Sequence, residues 1–294
     1  MSVIVTRLTG GLGNQMFQFA AGYALSLRRG VPLELDISSY GRDELRVYEL
    51  APFDLPATVA PAATLQRIPK KVRGLQRVVQ HFSSTAVDAI PVYREPHFEF
   101  DEKLLDLTAP RALQGYWQSE RYFKDMREEV CSAFTSTQPL EAENAAVMQA
   151  IQQADMPVSL HVRRGDYVSD ASASATHGTC SLDYYRSAIK SVLIKTPNAH
   201  FFAFSDDEAW TRENLRTPAA ITYVSANSPS RGYRDMQLMS ACRHHIIANS
   251  SFSWWGAWLN HRDDKRVIAP DIWFAQSKKN SKDLLPPDWD RRWV

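Results

Sequence analysis

Between residues 157 and 269, short apolar runs alternate with stretches of helical period, and this alternation limits the chain's folds more than any other feature. Residues 157–162, 200–204, 221–224, 245–248 and 266–269 read as strands. Residues 182–195, 206–216, 234–242 and 252–260 read as helices, with Ser205 or Asp206 as N-cap of the second. Strand–helix repetition of this kind winds helices around a parallel sheet. The chain opens the same way: a strand over 2–8, a turn at Gly10, Gly11 and Gly13, a helix over 14–28 and a strand over 31–36. The stripe Met16, Phe17, Ala20, Ala24 and Leu27 gives that helix its apolar face. From about 38 to 110 the prolines Pro52, Pro56, Pro61, Pro69, Pro91 and Pro96 interrupt the pattern. Strand-then-helix character returns over 114–134, and 141–154 reads as a helix. The expected division is 1–155 and 156–294.

The 294 residues carry a formal net charge of +1. Without a basic excess the chain is not expected to bind nucleic acid, and any anionic ligand must be met by a local cluster of positive groups. Cys131, Cys180 and Cys242 are odd in number and far apart, which fits reduced thiols better than a disulfide framework or a zinc knuckle. No secretory leader or membrane span is legible. The expectation is a cytoplasmic protein, at most peripheral to the inner membrane face. Lys70, Lys71, Arg73 and Arg77 read as a solvated helix face, with a patch for an anionic surface as the alternative.

Ligands of wound parallel sheets bind outside the carboxyl ends of strands, and polar clusters fall at those ends. His161-Val-Arg163-Arg164-Gly165-Asp166 leaves the first strand of the second half. Paired guanidiniums suit a diphosphate, because their forks match phosphate oxygens; an Arg164–Asp166 surface pair is the plainer reading. Ser205-Asp206-Asp207 reads first as a helix cap and second as an acceptor for a guanine edge or a ribose. Asn249-Ser250-Ser251-Phe252-Ser253 crosses into a helix, where backbone N–H groups form an anion site. Trp254, Trp255 and Trp258 then read as core. Gly11-x-Gly13 resembles a dinucleotide fingerprint, but Met16 stands where a small residue is required, which weakens an oxidoreductase reading. Asn14 and Gln15 offer amides at that turn. Asp288-Trp-Asp290 spells a metal-binding triplet but reads as a tail feature, and His244-His245 as structural. No metal site is expected.

Taken together, GGLGNQMFQFAAGYAL, HVRRGDY, FAFSDD and NSSFSWWGAWL resemble the α-1,2-fucosyltransferases. The resemblance covers nearly the whole chain and is weakest from 40 to 110. It implies an α/β, GT-B-like fold of two Rossmann-like domains facing across a cleft, with the acceptor on the N-terminal side. It implies GDP-β-L-fucose as co-substrate, a galactose-terminated glycan as acceptor, and inversion without a metal or other cofactor. By likeness to more distant GDP-fucose enzymes, Arg163 holds the phosphates with Arg164 beside it, His161 lies near the nucleoside, Asp235 reads guanine and Asp206 adds a nucleoside contact. Asn249, Ser250, Ser251 and Phe252 form the diphosphate turn. Gly11, Gly13 and Asn14 lie near the fucose or the attacking hydroxyl. Asp166 is the first choice of general base, or else an orienter of the arginines. His177, in the Ala- and Ser-rich loop 169–179, is the second. A fucosyltransferase of another linkage and a non-catalytic GDP-sugar-binding module are the rival readings.

Overall fold

The protein is described by a computed structural model over residues 2–41, 46–69, 88–165, 178–275 and 280–293. It divides into two compact units, Met1–Thr135 and Ser136–Val294. Each contains an all-parallel sheet with helices, the arrangement expected from the alternation.

The first unit runs β1 (Ile4–Arg7), α1 (Leu12–Arg29), β2 (Leu33–Asp36), β3 (Thr58–Val59), α2 (Ala62–Gln66), β4 (Val92–Arg94), β5 (Arg111–Gln114) and α3 (Arg127–Ala133). The sheet order is β3-β2-β1-β5-β4. Val3, Val5 and Ala112 form a buried cluster with Ala60 and Ile90. Met16, Phe17, Ala20 and Ala24 of α1 are buried as expected, but Leu27 is 39% exposed. It sits in the final turn, where Gly30 closes the helix with φ 62 and donates to Leu27 O at 3.1 Å. The sequence reading missed β3 and β4, which are two and three residues long and lie among the prolines.

The second unit runs α4 (Ala142–Gln153), β6 (Met156–Val162), α5 (Leu182–Lys195), β7 (Ala199–Ser205), α6 (Glu208–Asn214), β8 (Ala220–Val224), α7 (Gly232–Ala241), β9 (His244–Ile246), α8 (Ser251–Trp258), β10 (Val267–Pro270) and β11 (Asp290–Arg292). The order is β11-β10-β9-β6-β7-β8. Successive residues of β7 show why its run is unbroken and apolar. Phe201 and Ala203 join the cluster under α5, while Phe202 and Phe204 join Leu238 and Met239 of α7 on the other face. Ile151 of α4 belongs to that second cluster, so α4 packs with the second unit rather than ending the first. Asp288-Trp-Asp290 leads into an edge strand: Asp290 begins β11 beside β10, and its carboxylate pairs with Arg266 at 2.7 Å. Cys131, Cys180 and Cys242 are buried and form no disulfide with one another. No helix among the described residues is long and apolar enough to cross a membrane.

Candidate active site

In the second sheet β6 continues through α5 to β7 on one side, while β9 pairs on its other side. Outside the carboxyl ends of β6 and β9 the sheet therefore has its topological switch point. His161, Arg163 and Arg164 leave β6 there, and Asn249 to Phe252 follow β9.

Arg163 Nη1 lies 2.9 Å from Asp206 Oδ2, and the other oxygen of that carboxylate accepts the Arg164 N–H at 2.8 Å. Asp206 is available because it does not cap α6, contrary to expectation. Asp207 does, accepting from Trp210 N at 3.1 Å, while Ser205 Oγ accepts the Asp207 N–H at 2.9 Å. Arg164 is held differently. Its Nε lies 3.2 Å from Asp207 Oδ2, and its guanidinium rests 4.0 Å over the Trp210 ring. Gly165 is tightly seated, since a Cβ there would stand 2.7 Å from Asp206 Oδ2.

His161 is buried, and its ring meets Phe252 at a centroid distance of 5.4 Å, which ties the β6 end to the start of α8. Burial pushes its pKa down to about 4; Asp206 pulls it up and Arg163 pulls it further down. At neutral pH it is an uncharged imidazole. Its Nδ1 is buried without a hydrogen-bond partner among the described residues. Ser250 is the N-cap of α8, but its side chain makes no capping bond. The Ser250 side chain therefore does not close off the first-turn N–H groups. Asn249 does structural work beneath this turn. Its Nδ2 donates to Gly178 O and Trp273 O at 3.2 and 3.3 Å, and its Oδ1 accepts from the Cys180 thiol at 3.5 Å.

Asp235 lies in the first turn of α7, where it accepts from Asn227 Nδ2 at 2.6 Å. Burial pushes its carboxyl up to about 6, partly offset by that hydrogen bond. Its neighbour Arg234 is buried, bonding Gln138 O and Pro139 O at 3.2 and 2.6 Å and lying 3.1 Å from Glu141. The sequence reading missed Arg234 because a buried arginine is legible only from the partners that satisfy it. Gly232, which starts α7, faces Phe252, so the helix bearing Asp235 and the turn bearing Ser251 are neighbours. Trp254, Trp255 and Trp258 are buried core, as expected. His245 is structural as well: it bonds Ser159 Oγ at 2.7 Å and Asn260 Nδ2 at 2.8 Å.

In the first unit, Gly11 is the N-cap of α1 and Gly13 is buried in its first turn. Asn14 lies against Gly10, where a Cβ would stand 2.7 Å from Asn14 Nδ2 and where the φ of 77 favours glycine. Gln15, expected to offer its amide, is instead buried and used: its Nε2 donates to Gly10 O and Val47 O at 2.9 and 2.8 Å, and its Oε1 accepts from Glu49 N at 2.9 Å. Asp166 and His177 lie outside the described residues, as do Lys70, Lys71, Arg73 and Arg77.

Two parallel-sheet α/β units are the GT-B-like build of glycosyltransferases. The chain belongs to glycosyl transferase family 11, whose family model matches residues 2–291. It is 35% identical to an α-1,2-colitosyltransferase of Escherichia coli, with 99% of each chain covered. It is 31% identical to the O-antigen biosynthesis glycosyltransferase WbnK of Escherichia coli, covering 93% of this chain and 95% of that one. It is 26% identical to galactoside α-(1,2)-fucosyltransferase 1 of Leontocebus fuscicollis, covering 95% and 72%. Among solved structures, NodZ α-1,6-fucosyltransferase soaked with GDP-fucose superposes with a TM-score of 0.51 at 13% identity, covering 92% of this chain and 95% of that one. An Arabidopsis thaliana FUT1 mutant in complex with GDP gives 0.51 at 12% identity, covering 97% and 74%. These two likenesses are of fold.

Proposed function

We propose that this glycosyltransferase moves L-fucose from GDP-β-L-fucose to the 2-hydroxyl of a terminal galactose, with inversion and without a metal ion. The observation that carries the reading is the pairing, at one switch point, of Arg163 on the β6 end with the uncapped first turn of α8 after β9. Those are the positive groups a leaving diphosphate needs. The galactoside relatives and the O-antigen relative support the acceptor class.

In this mechanism the galactose O2 attacks the fucose anomeric carbon while the bond from that carbon to the β-phosphate oxygen breaks. The bonding pair goes to the phosphate, where Arg163 and the N–H groups of Ser251 and Phe252 meet the growing charge. Arg164, braced by Asp207 and Trp210, keeps the turn in place. His161 and Asp235 take the nucleoside, His161 as a neutral hydrogen-bonding ring and Asp235 as the carboxylate for the guanine edge. Asp206 orients Arg163 and adds a nucleoside contact. The O2 proton goes to a general base, for which Asp166 is the first candidate and His177 the second. Asn14 lies with the first unit's glycine turn on the acceptor side.

GDP release from GDP-fucose, with and without galactosides and in the presence of EDTA, tests the reading. Arg163→Ala should lower kcat by about 10²–10³-fold with the fold intact. Release that EDTA abolishes would overturn the metal-free mechanism, and no release with any galactoside would favour a binding module. The 35% identity to a colitosyltransferase raises a second donor, a nucleotide-activated colitose. Direct competition between the two sugar nucleotides decides it by the ratio of their kcat/KM values.

A further inference from the structure

The first sheet has a switch point of its own. β1 continues through α1 to β2 on one side, while β5 pairs on the other. The segments leaving these two strands are joined where a ligand of such a sheet would lie: Gln118 Nε2 donates to Asn14 Oδ1 at 2.6 Å. Glu95, one residue past β4, accepts the main-chain N–H groups of Tyr116 and Trp117 at 2.8 and 3.0 Å. These bonds hold Trp117 at φ 57, a conformation that a bulky residue keeps only when its surroundings impose it. Its buried ring lies nearly parallel to Tyr93, 6.1 Å away, and edge-on to Tyr122 at 5.8 Å. Its indole N–H is buried with no hydrogen-bond partner among the described residues. Gly115 makes the turn possible, since a Cβ there would stand 2.4 Å from Glu95 Cβ and 2.8 Å from Trp117 Cε2. With Trp117 buried, the adjacent Tyr116 is left 40% exposed.

Backbone strain and an unsatisfied buried donor both cost stability, and here they coincide at one loop on a switch point. The geometry points to a pyranose-binding site for the acceptor glycan on this loop. Tyr116 is the surface on which a sugar's C–H face stacks, the Asn14–Gln118 amide pair is the edge that reads hydroxyls, and Glu95 is the positioning residue that presents Tyr116. The inference rests on the transferase reading above, and it names the residues that meet the acceptor. The ligand class follows from the chemistry. Primary amides offer a donor and an acceptor together, which suits hydroxyl groups. A tyrosine ring offers an apolar face with a polar tip. The neighbouring Glu95 carboxylate disfavours an anion.

The test measures binding of lactose and N-acetyllactosamine by ligand-observed NMR with GDP present, together with steady-state transfer, for the wild type, Tyr116→Ala, Tyr116→Phe and Glu95→Gln. Tyr116→Ala should raise acceptor Kd and KM about ten-fold, the loss of one aromatic contact, with donor KM within about two-fold of wild type. Tyr116→Phe keeps the ring and loses the hydroxyl, so it should raise acceptor KM by less than Tyr116→Ala does, and Glu95→Gln should raise acceptor KM more than it lowers kcat. A folded Tyr116→Ala protein with unchanged acceptor Kd overturns the site, as does a rise in donor KM that matches the rise in acceptor KM. The two readings fail separately. A galactoside that binds wild type, loses binding in Tyr116→Ala and receives no fucose supports the site and overturns the transfer reading. Transfer with an unaltered acceptor KM in Tyr116→Ala overturns the site and leaves the transfer reading standing.

Discussion

One carboxylate, Asp206, sets the geometry at the β6 end by holding the Arg163 guanidinium with one oxygen and the Arg164 main chain with the other. Asp206→Asn keeps an acceptor for the N–H group but loses the charge-assisted bond, and kcat should fall about ten-fold. Gly165→Ala reaches the same end by steric means, because the added methyl would meet Asp206 Oδ2. That side chain can rotate away, so we expect a similar loss of kcat with an unfolding temperature near wild type. Arg163→Lys should not rescue Arg163→Ala fully, since an ammonium lacks the planar fork. The sequence reading took Asp206 for a nucleoside contact and did not foresee its pairing with Arg163. The pairing arises from the β6–β7 register, Val162 opposite Ser205, and adjacent strands are not visible from residues that lie 43 apart, as Arg163 and Asp206 do.

At the scale of elements, α7 carries a carboxyl group that burial holds well above its usual range. Asp235 has its pKa raised from 3.8 to about 6, so folding favours its protonated form. Stability is lost as pH rises from about 4 through 6, and the ionised form, which the proposed guanine contact requires, becomes dominant above about 6. Two outcomes follow. Donor KM should rise as pH falls through about 6, and Asp235→Asn should flatten that profile at a uniformly high KM. In thermal melts without ligand, Asp235→Asn should stabilise the protein by about 1–2 kcal/mol at pH 7.5 and have little effect near pH 4. Most elements of the second unit were legible because their apolar runs are long and sharply bounded; α5 was read to its last residue. The cap of α6 was misplaced because Ser205, Asp206 and Asp207 are all competent caps, and only backbone geometry selects among them. β3, β4 and β11 escaped because two or three residues give no period to read.

For the molecule as a whole, the two units have separate buried clusters and separate sheets. If GDP is held by groups at the second switch point, hydrogen exchange should slow mainly within 156–270 when GDP is added, while β1, β2 and β5 keep their unliganded rates. At about 100 times Kd the linked stabilisation is about 2.7 kcal/mol, large enough to read as slowed exchange in α7 and α8. The indoles of α8 give a second way to see the same event. Trp254 lies 5.1 Å from Trp255, 5.9 Å from Trp258 and 5.5 Å from Trp289, the last supplied by the segment leading into β11. Chromophores this close share their excited states, so this unit carries a built-in exciton signal in the far ultraviolet. Its sign and amplitude depend on the angles between those rings, and therefore on the seating of the helix whose first turn is the proposed diphosphate site. If GDP seats on that turn as proposed, circular dichroism should follow its occupancy without any label.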